Sequence, residues 1–171
     1  MTANPSLIAL VLVLAVAVVW DLRTRRIPNW LTVGACGAAL GFRVVQGFEP
    51  LGFGVLGLAL GLAMSLPLVF AGGLGGGDAK LLAAVGAFLG PGRLIVALLA
   101  MALVGGVLTV AVATRRGVMY ETLRHTWRLT GQLVGLGLES EPRRTLGTAG
   151  ALTIPYAVPI AIGALAGLIY G

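Results

Sequence analysis

The sequence predicts an all-α polytopic membrane protein with about six transmembrane helices, the fourth a short helix that follows a glycine-rich loop. Three observations carry this. The 171 residues are 58% hydrophobic and only 11% charged, with a mean hydropathy of +0.99, far from the composition of soluble domains. Apolar stretches recur at lengths close to the roughly 20 residues that a helix needs to cross a hydrocarbon core about 30 Å thick. The 27 glycines suit lipid as a solvent. No hydrophobic effect draws embedded helices together, so small residues that let backbones approach are favoured at their contacts, as in "GVLGLALGLAMSL" from Gly54 to Leu66. Residues 1–171 read as a single integral membrane domain.

Thr2 to Trp20 carries no charge and is long enough to cross. Its basic flank follows the apolar core, the reverse of a cleavable signal peptide, so this first helix is expected to be retained. Pro28 stops continuation, and Asn29 is placed to cap a second helix running to about Phe48. "QGFEP", Gln46 to Pro50, reads as a turn, and Leu51 to Ala71 as the third helix. After the glycine-rich loop, Ala79 to Leu89 forms the short fourth helix, which "GPGR" breaks. A fifth helix is expected from about Arg93 to Ala113 and a sixth from about Gly147 to Tyr170. Between them, residues 114–146 read as a cytoplasmic loop or interfacial helix. Tyr120, Leu123, Trp127 and Val134 share one helical face there, and Glu121, Arg124, Arg128 and Gln132 another.

The basic residues set the orientation. Arg23, Arg25, Arg26, Lys80, Arg115, Arg116, Arg124, Arg128, Arg143 and Arg144 fall on one side of this arrangement, and only Arg43 and Arg93 fall toward the other. The positive-inside rule then places the basic loops in the cytoplasm and both termini outside. The net charge of +6 accordingly reads as topology and contact with anionic lipids, not as nucleic-acid binding.

Nucleophilic and metal chemistry are poorly supplied. Cys36 is the lone cysteine and His125 the lone histidine. That excludes a disulfide within the chain and zinc held by the usual Cys and His clusters, and no metal or other cofactor is expected. Cys36 reads as a small packing residue and His125 as a solvated polar one. The acids are more informative. Of only six, Asp21 ends the first helix and Asp78 opens the fourth, so the topology sets both at the same depth on the cytoplasmic side. Acids this close to hydrocarbon usually mark a functional site. The plainer readings are interfacial ion pairing of Asp21 with Arg25 or Arg26, and Asp78 as a helix N-cap after a flexible loop. Gly72, Gly73, Gly75, Gly76 and Gly77 leave the backbone free to adopt positive φ and to admit another chain. The Walker spacing that a phosphate loop requires is missing.

Two close carboxyl groups hold a shared proton, because like charges repel. The ionised member deprotonates a water for attack on an amide carbonyl, and the protonated member polarises that carbonyl. Helix dipoles suggest that Asp78, at a helix N-terminus, is the ionised one and that Asp21, at a C-terminus, holds the proton.

"DLRTRRIPNWLT" (Asp21 to Thr32) together with "GGGDAKLLAAVGAFLG" (Gly75 to Gly90) resembles the type IV prepilin peptidase family of membrane aspartic proteases. The family's glycine, any residue, glycine, aspartate signature corresponds to Gly75, Gly76, Gly77 and Asp78. Its first aspartate, with a basic stretch and Ile-Pro-Asn, corresponds to Asp21, Ile27, Pro28 and Asn29. "IPYAVPIAIGAL" is similar to its proline-containing final helix, at Pro155, Tyr156 and Pro159. The resemblance implies that Asp21 and Asp78 are the catalytic pair, that Gly75, Gly77, Lys80, Arg25, Pro28, Asn29 and Pro155 form the surrounding motif and substrate-binding residues, and that no metal takes part. It also implies cleavage of the short basic leader of type IV prepilins or pseudopilins at the cytoplasmic face of a bacterial inner membrane. The long bifunctional members also methylate the new N-terminus and carry two Cys-x-x-Cys pairs, which this chain lacks, so no methylation is expected. The compact form is most similar to the enzymes of tight-adherence (Flp) pilus systems. Expected partners are the prepilins and membrane lipids. Anionic lipids, or Glu139 and Glu141, would offset the repulsion between a basic leader and a basic face. The rival reading is a small proton- or cation-coupled transporter or channel component using the same acids near a broken helix. Acids at the membrane edge and no evident inverted repeat argue against it.

Overall fold

In lipid a spanning backbone has to satisfy its polar groups internally, so long apolar runs without strand alternation fold as helices. The computed structural model describes residues 5–70, 73–116 and 155–171. Among these every regular element is helical: α1 (Pro5–Thr24), α2 (Asn29–Gln46), α3 (Phe48–Phe70), α4 (Gly76–Leu89), α5 (Pro91–Arg116) and α6 (Ala157–Tyr170). The chain is an all-α membrane protein, as its composition predicts. By length and composition α1, α3 and α5 can cross a bilayer, and α6 is a shorter apolar helix. Large apolar side chains such as Leu12, Leu56, Leu103 and Val107 stand exposed on the long helices, as lipid-facing residues should.

α4 is built differently. It is apolar nearly all round, and Leu81, Leu82, Val85 and Ala87 are buried, the pattern of a helix enclosed on every side. It packs against all five other helices, most extensively α3. The α3 face that meets it is a stripe of small residues, Gly54, Gly57, Gly61 and Ser65. A Cβ on Gly57 would overlap the Gly86 carbonyl oxygen, and one on Gly86 would overlap that of Gly57. Here the absent side chain is what permits the contact. α5 and α6 meet in the same way, through Gly163 against Ala97 and Gly167 against Arg93.

Several boundaries differ from expectation. The α2–α3 connection is the single residue Gly47, at φ 120. Phe48, Glu49 and Pro50 are already in α3, where a proline in the first turn gives up an N–H that has no intrahelical partner. α4 begins at Gly76 instead of Ala79, because Gly75 is the extended N-cap residue (φ −74, ψ 146). Gly90 (φ 79) turns the chain directly into Pro91, the first residue of α5. α5 continues to Arg116, so residues 114–116 belong to it. The remainder of the expected connection, with its interfacial face, His125, Glu139 and Glu141, and the Gly147 start of the sixth helix lie outside the described residues. The described part of that helix starts at Ala157.

Arg43 closes the far end of α4. Its Nε donates to the Ala87 carbonyl (2.7 Å), Nη2 to that of Phe88 (2.9 Å) and Nη1 to that of Pro50 (2.9 Å). The guanidinium thereby satisfies carbonyls that the helix end leaves without partners.

Candidate active site

α1 runs toward Asp21, and α4 starts beside Asp78. Asp21 lies in the last turn of α1, where the chain is still helical through Thr24. The Arg25 N–H donates to the Asp21 carbonyl (2.8 Å), and Arg25 itself takes φ 55, a left-handed residue that ends the helix. The chain then turns through Ile27 and Pro28 into α2. Trp20 and Trp30 brace this corner with their rings T-shaped at 5.8 Å, a pairing at the membrane edge that the spacing alone did not announce.

Pro28 (φ −69, ψ 141), not Asn29, is the N-cap residue of α2, and no side chain caps it. Asn29 is the first helical residue, which leaves its amide oxygen to accept from Lys80 Nζ (2.8 Å). Two motif residues distant in sequence are thus joined, and the bond ties the start of α2 to the start of α4.

Gly73, Gly75, Gly76 and Gly77 do not use positive φ. Among the described residues the positive-φ glycines are Gly47 and Gly90. What Gly75 and Gly77 supply is a missing Cβ. One on Gly75 would stand 2.8 Å from Asp78 Oδ2, and one on Gly77 would stand 3.2 Å from Ile27 Cβ and 3.3 Å from its carbonyl oxygen. Gly76 between them meets nothing within 4 Å. This is a physical reason for a signature of glycine, any residue, glycine, aspartate. Asp78, three residues after the N-cap Gly75, accepts a hydrogen bond from the Gly75 backbone N–H, the reach-back half of a capping box.

Asp21 is 6% exposed, and its Oδ2 accepts from the Ala157 N–H at 3.1 Å. Ala157 is the first residue of α6, so Asp21, although at the end of its own helix, stands at the N-terminus of another. The helix-end asymmetry expected from the sequence is therefore absent: both carboxylates face helix N-termini, which favour negative charge. Asp78 is half-buried and lies near enough to Asp21 to feel its charge. Tyr156, half-buried just ahead of α6, also lies within reach of Asp78. Burial, followed by the charge of Asp78, pushes its phenol up from the ordinary value, so it is a neutral hydrogen-bond donor. Pro155 shapes the turn that delivers Tyr156 and Ala157, its carbonyl accepting from the Val158 N–H (3.4 Å).

The structure thus gathers Asp21, Asp78, Gly75, Gly77, Lys80, Pro28, Asn29 and Pro155 at one end of the bundle, with Arg25 exposed at its rim. The contribution of the Ala157 backbone was not legible in the sequence, since a backbone donor has no residue signature.

Residues 8–110, a stretch that contains both aspartates, match the type IV leader peptidase family. The chain belongs to that family. Two curated relatives, each named prepilin leader peptidase/N-methyltransferase, one from Aeromonas salmonicida (strain A449) and one from Aeromonas salmonicida, are 37% identical to it over 94 residues. The match takes in 51% of this chain and 32% of each relative, so it spans about a third of their length. No solved structure matches.

Proposed function

We propose that this protein is an aspartic-type membrane endopeptidase that removes the basic leader of type IV prepilins, Flp-type pilins included, at the cytoplasmic face of a bacterial inner membrane. Asp21 and Asp78 are its catalytic pair. The observation that carries the reading is the convergence of two acids, from a chain with only six, at the meeting point of α1, α4 and α6. Membership of the leader peptidase family and the names of the two relatives support the substrate class.

In this mechanism the pair holds one proton. The ionised carboxylate takes a proton from water as the water oxygen bonds to the scissile carbonyl carbon, while the protonated carboxyl donates to the carbonyl oxygen. When the C–N bond breaks, a carboxyl proton moves to the leaving amine, the new carboxylic acid forms, and the pair again shares one proton. The Ala157 N–H fixes one oxygen of Asp21, and the Gly75 N–H holds Asp78, so both groups are oriented before substrate arrives.

The test is cleavage of a purified precursor in detergent. Asp21→Asn and Asp78→Asn each keep the side-chain shape but lose the carboxylate. Each should remove cleavage while the protein inserts and melts as the parent does. Near-normal turnover by either variant would overturn the assignment.

A further inference from the structure

Amide hydrolysis by a carboxyl pair places negative charge on the scissile carbonyl oxygen, and fixed donors aimed at that oxygen are worth most in a dry site. Several donors near the pair are already engaged. The Ala157 N–H serves Asp21, and the Gly75 N–H serves Asp78. The exposed Lys80 ammonium is bound to Asn29 Oδ1. The Thr32 hydroxyl donates to the Asn29 carbonyl (3.1 Å), and the Thr24 hydroxyl has the Trp20 and Arg26 carbonyls within reach. Tyr156 differs. Its ring packs against the buried core, its neighbour Ala157 holds Asp21, and among the described residues no group accepts from its hydroxyl. A half-buried tyrosine within reach of Asp78, one residue before the backbone donor of Asp21, has a hydroxyl that no described group engages.

We propose that Tyr156 is a third catalytic residue, its hydroxyl donating a hydrogen bond to the scissile carbonyl oxygen as that oxygen becomes negative. The inference rests on the peptidase reading above. The turn Pro155–Tyr156–Ala157 then has two outputs: a backbone donor that orients Asp21 and a side-chain donor for the substrate. Both issue from a single rigid helix start, so donor and carboxylate keep their spacing. The phenol loses no proton in the cycle. It lends a hydrogen bond that strengthens as the carbonyl carbon turns tetrahedral and relaxes when the C–N bond breaks.

The experiment measures kcat and KM for precursor cleavage by the full chain in detergent, with Tyr156→Phe beside Asp21→Asn and Asp78→Asn. Phe keeps the ring packing and removes only the donor. Loss of one such donor should lower kcat by about 100-fold, with KM unchanged and the melting temperature close to that of the parent. Parent-like kcat in Tyr156→Phe, with both Asn variants dead, overturns the role of Tyr156 and leaves the peptidase reading standing. Active Asn variants overturn that reading instead. Should the Phe variant melt early, 3,5-difluorotyrosine at position 156 carries the test, because it keeps ring and hydroxyl and makes the phenol more acidic. The alkaline limb of the kcat profile should then move to lower pH, since Asp21, Asp78 and Lys80 are the same in both proteins. An unmoved limb overturns the proposal.

Discussion

A Cβ on Gly75 would stand 2.8 Å from Asp78 Oδ2, whereas one on Gly76 would meet nothing within 4 Å. The contrast separates stability from activity within three consecutive residues. In Gly75→Ala the atom in the way is the tip of a flexible side chain, so the carboxylate swings aside at little cost to folding. This variant should melt near the parent temperature and lose most of its turnover. Gly76→Ala should remain active and gain up to about 0.5–1 kcal/mol, because alanine costs less backbone entropy in a helix. Gly77→Ala presses on both Cβ and the carbonyl oxygen of Ile27, so it should lower melting temperature and turnover together. Melting curves and cleavage rates for the three variants check the order. The spacing of the signature was legible in the sequence, but its cause was not. Positive φ was the natural expectation for a glycine run, whereas the actual constraints come from Ile27, beyond the end of a different helix, and from Asp78 folding back on its own cap.

At the scale of elements, backbone contact between α3 and α4 fixes where Asp78 stands. Gly57 and Gly86 lie carbonyl against Cα, and neither backbone can yield as a side-chain tip can. Gly57→Ala and Gly86→Ala should each destabilise the protein by about 3 kcal/mol, the upper range of overpacking costs, while Gly52→Ala, inside α3 with nothing within 4 Å, should keep or slightly raise the melting temperature, for the reason given for Gly76→Ala. Thermal unfolding in detergent measures all three. The small-residue stripe was readable as a contact surface from "GVLGLALGLAMSL" alone, since lipid leaves small residues little other use. Its partner was not, because Gly86 sits in a helix that the sequence marks only as short. Helix ends were the least legible feature. Asn29 has the chemistry of a cap, yet Pro28, with φ already fixed, takes that position and leaves the Asn29 amide to Lys80.

At the scale of the whole molecule, the charges among the described residues sort by end. Asp21, Asp78, Arg23, Arg25, Arg26 and Lys80 collect where α1 ends and α4 begins, and α5 returns Arg115 to the same side. At the opposite end Arg43 and Arg93 lie within reach of each other's charge. For the described residues this agrees with the partition read from the sequence; Arg124, Arg128, Arg143 and Arg144 lie outside them. α4 has 14 residues, about 21 Å at 1.5 Å per residue, too short for a core of about 30 Å. If Asp78 stands at one boundary, the other end of α4 stops inside the bilayer, where water cannot reach its last carbonyls. Arg43 satisfies two of them there. Its guanidinium is therefore held by α4 and says less about sidedness than a free surface arginine does, which strengthens the imbalance toward the Asp21 end. We propose, on the positive-inside rule, that this end faces the cytoplasm, the side on which a basic leader would wait. A fluorescent reporter that matures only in the cytoplasm should light when fused after Arg128, and a phosphatase active only outside should work when fused after Gly47. An active phosphatase after Arg128 would invert the molecule, turning the carboxyl pair away from cytoplasmic leaders even if the pair itself were intact.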